Sequence, residues 1–587
     1  MSEATGNLVP RIYANFRGVD FRGEEINLVR SPDSLNVWKD YKETESIRTR
    51  PAMKLDVSFD APIYGIFFYK DMMLVHSGKN LYKVVNGEKT RLVINYGQEV
   101  FPSDSEYYSM NEVVSSAFIY DDVWYFKDGK KYLKYDGETL CVAYRDAYIP
   151  TTSIARKPTS DGTVGGGTLH EDINMLTGLR KNTFRGDGES RYFFVDATNI
   201  EEPITVKVND KVVANYSVDK ASGKITFDKA PDAPLTDGQD NVSIQFNKTV
   251  SGYLDSILEC TLLQVFDNRV FFSGNPNYPN SVWHCSLNDP TYVSDMDFYR
   301  EGMDSAQVKG MVAGNNALWV FREPSDANTN VFYHTPSIDD EYGKVYPSSH
   351  SSISIGCIGK AINFNDDIVF FSERGMEGIS GDITTEQVAA HRSSLVDRKM
   401  IAEDDYANML LEEWEGYLLI FIGNKVYLAD SRTAFTNENH IEYEFFYWEL
   451  EKRITSTRVH DGVLYLGTED GVYTMTTETD ENGCYIPRVD IESYWVTPKD
   501  KFKYPHMQKT TNKRGCVAEA TGDITVYAKT EKTEFELIGT YENVTDYFVS
   551  RIKKKKFKDI QLKFYSKTRF SLETVSLECF VGAYVKR

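Results

Sequence analysis

The chain is poor in the residues from which most catalytic and metal centres are built. Its 587 residues include nine histidines and seven cysteines. The cysteines (Cys141, Cys260, Cys285, Cys357, Cys484, Cys516 and Cys579) are odd in number and widely spaced, and no Cys-x-x-Cys pair occurs. That spacing suggests neither a zinc site nor a disulfide framework. The expectation is buried free thiols in a reducing compartment, hence a protein that folds in a cytoplasm. The histidines are scattered, and His334, His350 and His391 are the candidate ligands among them. No apolar run approaches about 18 residues, so no membrane span is expected. The start, Met1-Ser2-Glu3-Ala4, has neither a basic nor an apolar leader region and does not read as a secretory signal.

Catalytic motifs are missing as well. There is no Gly-x-Ser-x-Gly elbow, and His170-Glu171 lacks the second histidine of a His-Glu-x-x-His site. The Ser-x-Asp-x-Gly-x-x-Trp boxes of sialidase-type blades are also absent. Gly165-Gly166-Gly167 is followed by no Lys-Ser or Lys-Thr, so it reads as a surface loop and not a phosphate cradle. Carboxylate pairs such as Asp366-Asp367 and Glu412-Glu413 are inevitable among 87 acids, and Asp366-Asp367 reads as a solvated turn. The Asp/Asn-rich turns lack the acidic loop spacing of a calcium site. The reading is of a non-enzyme without cofactor or metal. Helical periodicity is nearly absent too, the one candidate being 380–400.

Positive charge is in deficit. With 66 basic and 87 acidic residues the formal charge is −21, which argues against a general nucleic-acid binder. It leaves open a channel through which DNA slides without sticking.

What is present is aromatic, β-forming sequence: 38 Tyr, 33 Phe and 41% hydrophobic residues. One phrase recurs seven times, an aromatic or small residue, a two-residue polar turn and then an apolar run. Tyr120-Asp121-Asp122-Val123-Trp124-Tyr125-Phe126 is an example. The second turn residues, read as Asp71, Asp122, Asn268, Asn316, Asp367, Gly416 and Gly462, are spaced by 51, 146, 48, 51, 49 and 46 residues. A period of roughly 40 to 50 residues of strand and turn marks propeller blades. The long step shrinks to about 43 residues once a separate unit at 150–252 is set aside. The chain therefore reads as an all-β protein. It is a propeller of about seven blades (59–149 and 253–482), interrupted by a flexible lead and β-sandwich at 150–252 and followed by a C-terminal β-sandwich at 483–587.

Residues 1–58 read as an arm that closes the ring against the last blade, or is lent to a neighbouring subunit. Arg48, Arg50 and Pro51 are its candidate contacts. Near the other end the charge reverses. Arg551, Lys553, Lys554, Lys555, Lys556, Lys558 and Lys563 form a candidate docking strip for an acidic partner or nucleic acid, or else a lysine-guarded edge strand.

Several stretches carry a family resemblance. They are Tyr148-Ile149-Pro150-Thr151-Thr152 with Lys157-Pro158 and Asn174-Met175-Leu176-Thr177; the arm's Ser31-Pro32-Asp33-Ser34-Leu35-Asn36 with Arg48-Thr49-Arg50-Pro51; and the ending, Lys556-Phe557-Lys558-Asp559-Ile560-Gln561 through Val581-Gly582-Ala583-Tyr584. Together they resemble virion proteins of tailed bacteriophages, in particular the tail nozzle or tail stabilisation (tail tubular) proteins of short-tailed phages. The resemblance implies a structural subunit, made in the host cytoplasm and built into the virion tail. It would form a homohexameric ring below the portal and adaptor proteins, contact other tail proteins or fibres, and guard the exit of double-stranded DNA. It supplies no catalytic residue. The loops 275–280 and 324–330 are the guesses for a gate. The alternative is a receptor- or glycan-binding propeller at the tail tip.

Overall fold

The computed structural model describes residues 7–23, 27–42, 46–97, 101–102, 106–162, 166–339, 343–380, 387–437, 440–480, 485–486 and 489–584. The chain divides into two compact units. One comprises Met1–Gly78, Tyr82–Thr90 and Ser351–Arg587, and the other Lys79–Leu81 and Arg91–His350.

The recurring phrase is the first hairpin of each blade. Six of the seven turns hold both central residues at positive φ: Asp121/Asp122, Asp267/Asn268, Asn315/Asn316, Asn365/Asp366, Glu415/Gly416 and Asp461/Gly462. This is the type I′ geometry whose twist matches paired strands, and Asn, Asp and Gly tolerate it best. In the first turn Lys70 alone has positive φ. The fifth repeat corrects the sequence reading by one residue. Its turn is Asn365-Asp366, and Asp367 opens the next strand opposite Phe364. Asp367 is not a solvated turn residue either. Its carboxylate accepts two hydrogen bonds from Arg392 (2.8 and 3.2 Å) and one from Tyr443 (2.8 Å).

The strand after each turn is mostly buried. Ala317–Arg322 and Tyr417–Ile422 are buried at every residue. Packing on both faces explains why these segments read as continuous apolar runs without alternation. Seven blade sheets result, forming a β-propeller. Six are four-stranded; the second adds Ile94–Asn95 in parallel beside Leu140–Val142. The last blade is completed from the other end of the chain. Ala52–Ser58 pairs antiparallel with Gly471–Thr476, from Ala52 opposite Thr476 to Ser58 opposite Gly471.

The rest of the arm does something the sequence did not announce. Asn7–Ala14 pairs with the C-terminal strand Phe570–Tyr584, Ser34–Leu35 with Ser493–Val496, and Ile47–Thr49 with Phe570–Tyr584. The boundary drawn at residue 58 is therefore corrected: the C-terminal sandwich is an 11-stranded sheet completed by the arm. Its longest strand, Met507–Thr530, curls until Lys509 faces Phe557 while Thr530 faces Ile560. Gly522 permits the bend. Its φ is 95°, and a Cβ there would lie 2.3 Å from the carbonyl oxygen of Arg569.

The arm is also pinned to the sixth blade. Trp38 stacks on Trp414 (centroids 5.4 Å) and meets Trp448 edge-on (5.7 Å). Arg30 donates to both carboxylate oxygens of buried Glu444, at 2.8 and 2.7 Å. Each such aromatic pair contributes about 1 kcal/mol beyond its buried area.

The insert is a sandwich of a six-stranded and a three-stranded sheet around Phe184, Phe193, Val206, Ile225, Ile244 and Phe246. Part of its lead, 163–165, lies outside the described residues. The helix expected over 380–400 is corrected. Val388–His391 is a strand and only Asp397–Met400 is helical; 381–386, with the expected helix start, lies outside the described residues. The strand's backbone pairs with Gly375–Ser380 as the outer edge of the fifth blade, which overrides the local Ala-rich helix preference.

Gly462 offers a clean test of the turn chemistry, because its φ is 77° and a Cβ there would meet nothing within 4 Å. Gly462→Ala should lower stability by roughly 1 kcal/mol through backbone strain alone, read as a lower urea midpoint with an unchanged slope. An unchanged midpoint would mean that this hairpin does not need the I′ turn.

Candidate interaction surface

The basic strip lies on the solvent side of the C-terminal sheet, set by strict alternation. Phe548, Ser550 and Ile552 point inward, and Tyr547, Val549, Arg551 and Lys553 point outward. Phe557 is the next inward anchor, on Lys555–Phe557. Of the seven cations named from the sequence, Lys554 pairs with Glu536. Lys563 leaves the group: it sits 3.4 Å above the Tyr494 ring, where burial pulls its ammonium pKa down. The other five, Arg551, Lys553, Lys555, Lys556 and Lys558, form no ion pair among the described residues.

The strip flanks an apolar surface that sequence reasoning missed. Strand register places Ile12 opposite Ser576, Ser576 opposite Val517, and Val517 opposite Val549, a single row across four strands. Four residues along, Leu8 lies opposite Phe580 on the same face. Ile12 is 60% exposed and Tyr547 63%; Leu8, Val517, Val549 and Phe580 are also exposed. Six exposed apolar side chains on one sheet face, beside unpaired cations, have the composition of an interface: an apolar centre and a charged rim. The signal was hidden because residues 8, 12, 517, 549 and 580 are single apolar positions in half-buried strands, and only the register brings them together.

Of the two readings of the arm, its candidate contacts follow the intramolecular one. Arg48 and Arg50 are 8% and 1% exposed, and Pro51 is buried. Arg50 donates to the Asn36 side chain (3.0 Å), to the carbonyls of Pro51 (2.9 Å) and Glu449 (3.1 Å), and to Glu451 (2.7 Å). These residues are committed within the chain instead of being presented to a neighbour.

The three candidate ligand histidines do not converge, and among the described residues no group of three or more His, Cys, Asp or Glu side chains is arranged to hold a metal. His334 is wholly buried, with Nε2 2.9 Å from Glu301 and Nδ1 2.8 Å from the Tyr346 carbonyl oxygen. His350 is exposed on Ser348–His350. His391 lies between two carboxylates, with Nδ1 3.2 Å from Glu377 and Nε2 2.6 Å from Asp397. Burial works to lower its pKa, but the hydrogen bonds to Asp397 and Glu377 outweigh it and raise the pKa to about 10. The guessed gate loop 275–280 is fastened: Asn275 is buried, donates to the Ser256 carbonyl (2.9 Å) and accepts from the amides of Asn277 and Tyr278. The six described cysteines are buried; Cys484 lies outside the described residues.

One open recess, of about 490 Å³, is lined by Tyr96, Phe101, Tyr107, Lys130, Lys131 and Arg145, among others.

No family model matches the chain, and no curated protein matches it. Among solved structures, BamB from Moraxella catarrhalis is similar at TM-score 0.32 and 12% identity, over 74% of this chain and 99% of that one. The Pan2 WD40 domain of Neurospora crassa follows at TM-score 0.26 and 8% identity, over 73% and 98%. An exo-β-1,3-galactanase from Phanerochaete chrysosporium is similar at TM-score 0.19 and 8% identity, over 54% and 94%. Likenesses this distant carry no argument about function, and the architecture rests on the strand pairing itself. No helix among the described residues is long and apolar enough to cross a membrane.

The His391 clamp predicts a pH dependence. A pKa raised on folding from about 6.5 to about 10 stabilises the fold fully below pH 6.5, and that contribution is lost as pH rises toward 10. Thermal denaturation of His391→Asn should therefore show a smaller loss of Tm between pH 6.5 and 10 than the wild type. Parallel curves would refute the clamp.

Proposed function

We propose that this chain is a structural subunit of a bacteriophage tail. In this reading it is not an enzyme. Copies assemble head to tail into a ring, homohexameric by the resemblance, that forms a nozzle below the portal and adaptor and passes genomic DNA. The observation that carries the reading is the outward face of the C-terminal sheet, where Ile12, Val517 and Val549 form an apolar row beside five cations that make no ion pair among the described residues, in a chain of net charge −21. An acidic neighbour, such as another copy, is the partner such a surface attracts, and head-to-tail contacts close into rings when the rotation allows. The acidic excess also suits a lumen wall that retains DNA without binding it.

A second reading, a receptor- or glycan-binding propeller at the tail tip, is favoured by one observation, the recess where aromatic rings and cations meet.

The test is mass by light scattering, with particle imaging, of the full chain alone and with a portal–adaptor complex. The expected result is a ring that weakens with salt. Paired changes Ile12→Glu and Val517→Glu should abolish it while leaving the denaturation curve in place, because both side chains already face solvent. Rings that persist in that variant would overturn the assignment of this face. A wild-type monomer that ignores the portal–adaptor complex would overturn the nozzle reading.

A further inference from the structure

We propose that the recess on the second blade binds a short acidic saccharide. Sugar rings would lie against its aromatic wall, and a carboxylate or phosphate would meet Lys130, Lys131 and Arg145. The inference rests on the second reading above.

The wall is built before any ligand arrives. Phe101 and Tyr107 stack with centroids 3.8 Å apart and planes 12° apart, and Tyr96 meets Phe101 edge-on at 5.2 Å. The Tyr96 hydroxyl donates to the Tyr107 carbonyl at 2.6 Å, which ties the two sides of the wall together. Packed, oriented rings present flat apolar faces at little entropic cost, which suits the C–H faces of a sugar.

Among the described residues the three cations form no ion pair, and Lys131 feels only the longer-range negative charge of Asp128 and Glu106. Asp128, which follows the strand Val123–Lys127, uses Oδ1 to accept the backbone amides of Lys130 and Lys131 (2.9 and 2.7 Å) and Oδ2 to accept that of Asn111 (2.8 Å). Asp146, next to Arg145, pairs with Lys134 at 3.3 Å. Lys131 is half-buried, and burial lowers its ammonium pKa against the opposing pull of Asp128 and Glu106, so a ligand anion placed beside it would favour its charged form further.

Size and overall charge narrow the ligand. A volume of about 490 Å³ falls within the range of small-ligand sites and holds a few rings, not an extended polymer. A long polyanion would also have to approach a chain of net charge −21, whereas a short acidic sugar meets only the local cations. The aromatic wall distinguishes the site from one for a bare anion.

The experiment uses the full chain on an immobilised panel: trigalacturonate, sialyllactose and a hyaluronan tetrasaccharide, with maltotriose as the neutral member and free inorganic phosphate as competitor. Two variants, Lys131→Gln and Tyr107→Ala, accompany it. Tyr107 is 52% exposed, so its truncation leaves the core intact, and Tyr107→Phe retains the ring. The expected result is salt-sensitive binding of at least one acidic saccharide. It should weaken at least about tenfold in Lys131→Gln and Tyr107→Ala, and be retained in Tyr107→Phe. Glycan binding that both variants leave unchanged would overturn the recess while the glycan-binding reading stands. Preference for maltotriose, or displacement by phosphate as effective as by saccharide, would overturn the acidic-sugar assignment. Binding to no member of the panel would overturn both.

Discussion

Sheet edges are the constraint on which the rest of this structure depends. A blade is a small sheet with two edges, and a ring of blades needs its last member completed as firmly as its first. Here the last blade, built from Ser456–His460, Val463–Gly467 and Gly471–Thr476, takes its outer strand from Ala52–Ser58. Strand pairing across some 420 residues makes completion of this blade a non-local event, possible only when both of its contributing segments are in place. The C-terminal sandwich relies on the same device. It borrows Asn7–Ala14, Ser34–Leu35 and Ile47–Thr49 from the arm, and the clamps Arg30–Glu444 and Arg50–Glu451 hold that arm against the sixth blade. One segment thus seals two sheets, and its basic residues are consumed inside the chain.

The blade architecture was legible because the turn carries backbone chemistry that few residues satisfy. Asp-Asp, Asp-Asn, Asn-Asn and Asp-Gly pairs ahead of apolar runs signal I′ hairpins, and the burial of the strand after the turn, complete in Tyr417–Ile422, explains the unbroken run. The slip at Asp366 has the same root. Asn365, Asp366 and Asp367 are all turn-compatible, and only the pairing of Phe364 with Asp367 fixes which two form the turn. The helix read over 380–400 failed because strand pairing of Val388–His391 outweighs local propensity. The arm's division of labour was invisible because short polar strands such as Ser34–Leu35 carry no periodicity of their own.

The candidate surface was half legible for a related reason. A run of lysines announces itself in sequence, but what it borders does not. Ile12, Val517 and Val549 lie in different parts of the chain, and each alternates with buried neighbours as any half-exposed strand residue does. Register alone turns them into a surface. The structure also sorted the lysines: Lys554 is spent on Glu536 and Lys563 on Tyr494, which leaves five free charges in place of seven.

That sorting, charge by charge, is the most informative step from fold to function. Buried polar groups such as the Glu301–His334 pair and the Arg392–Asp367–Tyr443 network hold blades together, and their partners lie inside the chain. Where several cations that make no ion pair among the described residues occur together beside exposed apolar or aromatic groups, the missing counter-charge is most simply supplied from outside. Two places meet that description. Their apolar components differ, aliphatic rows on a broad sheet face in one and aromatic rings around a confined recess in the other. The first is suited to a protein surface and the second to a small ringed anion. They belong to different compact units and share no residue, so the loss of either function would leave the other open to independent measurement.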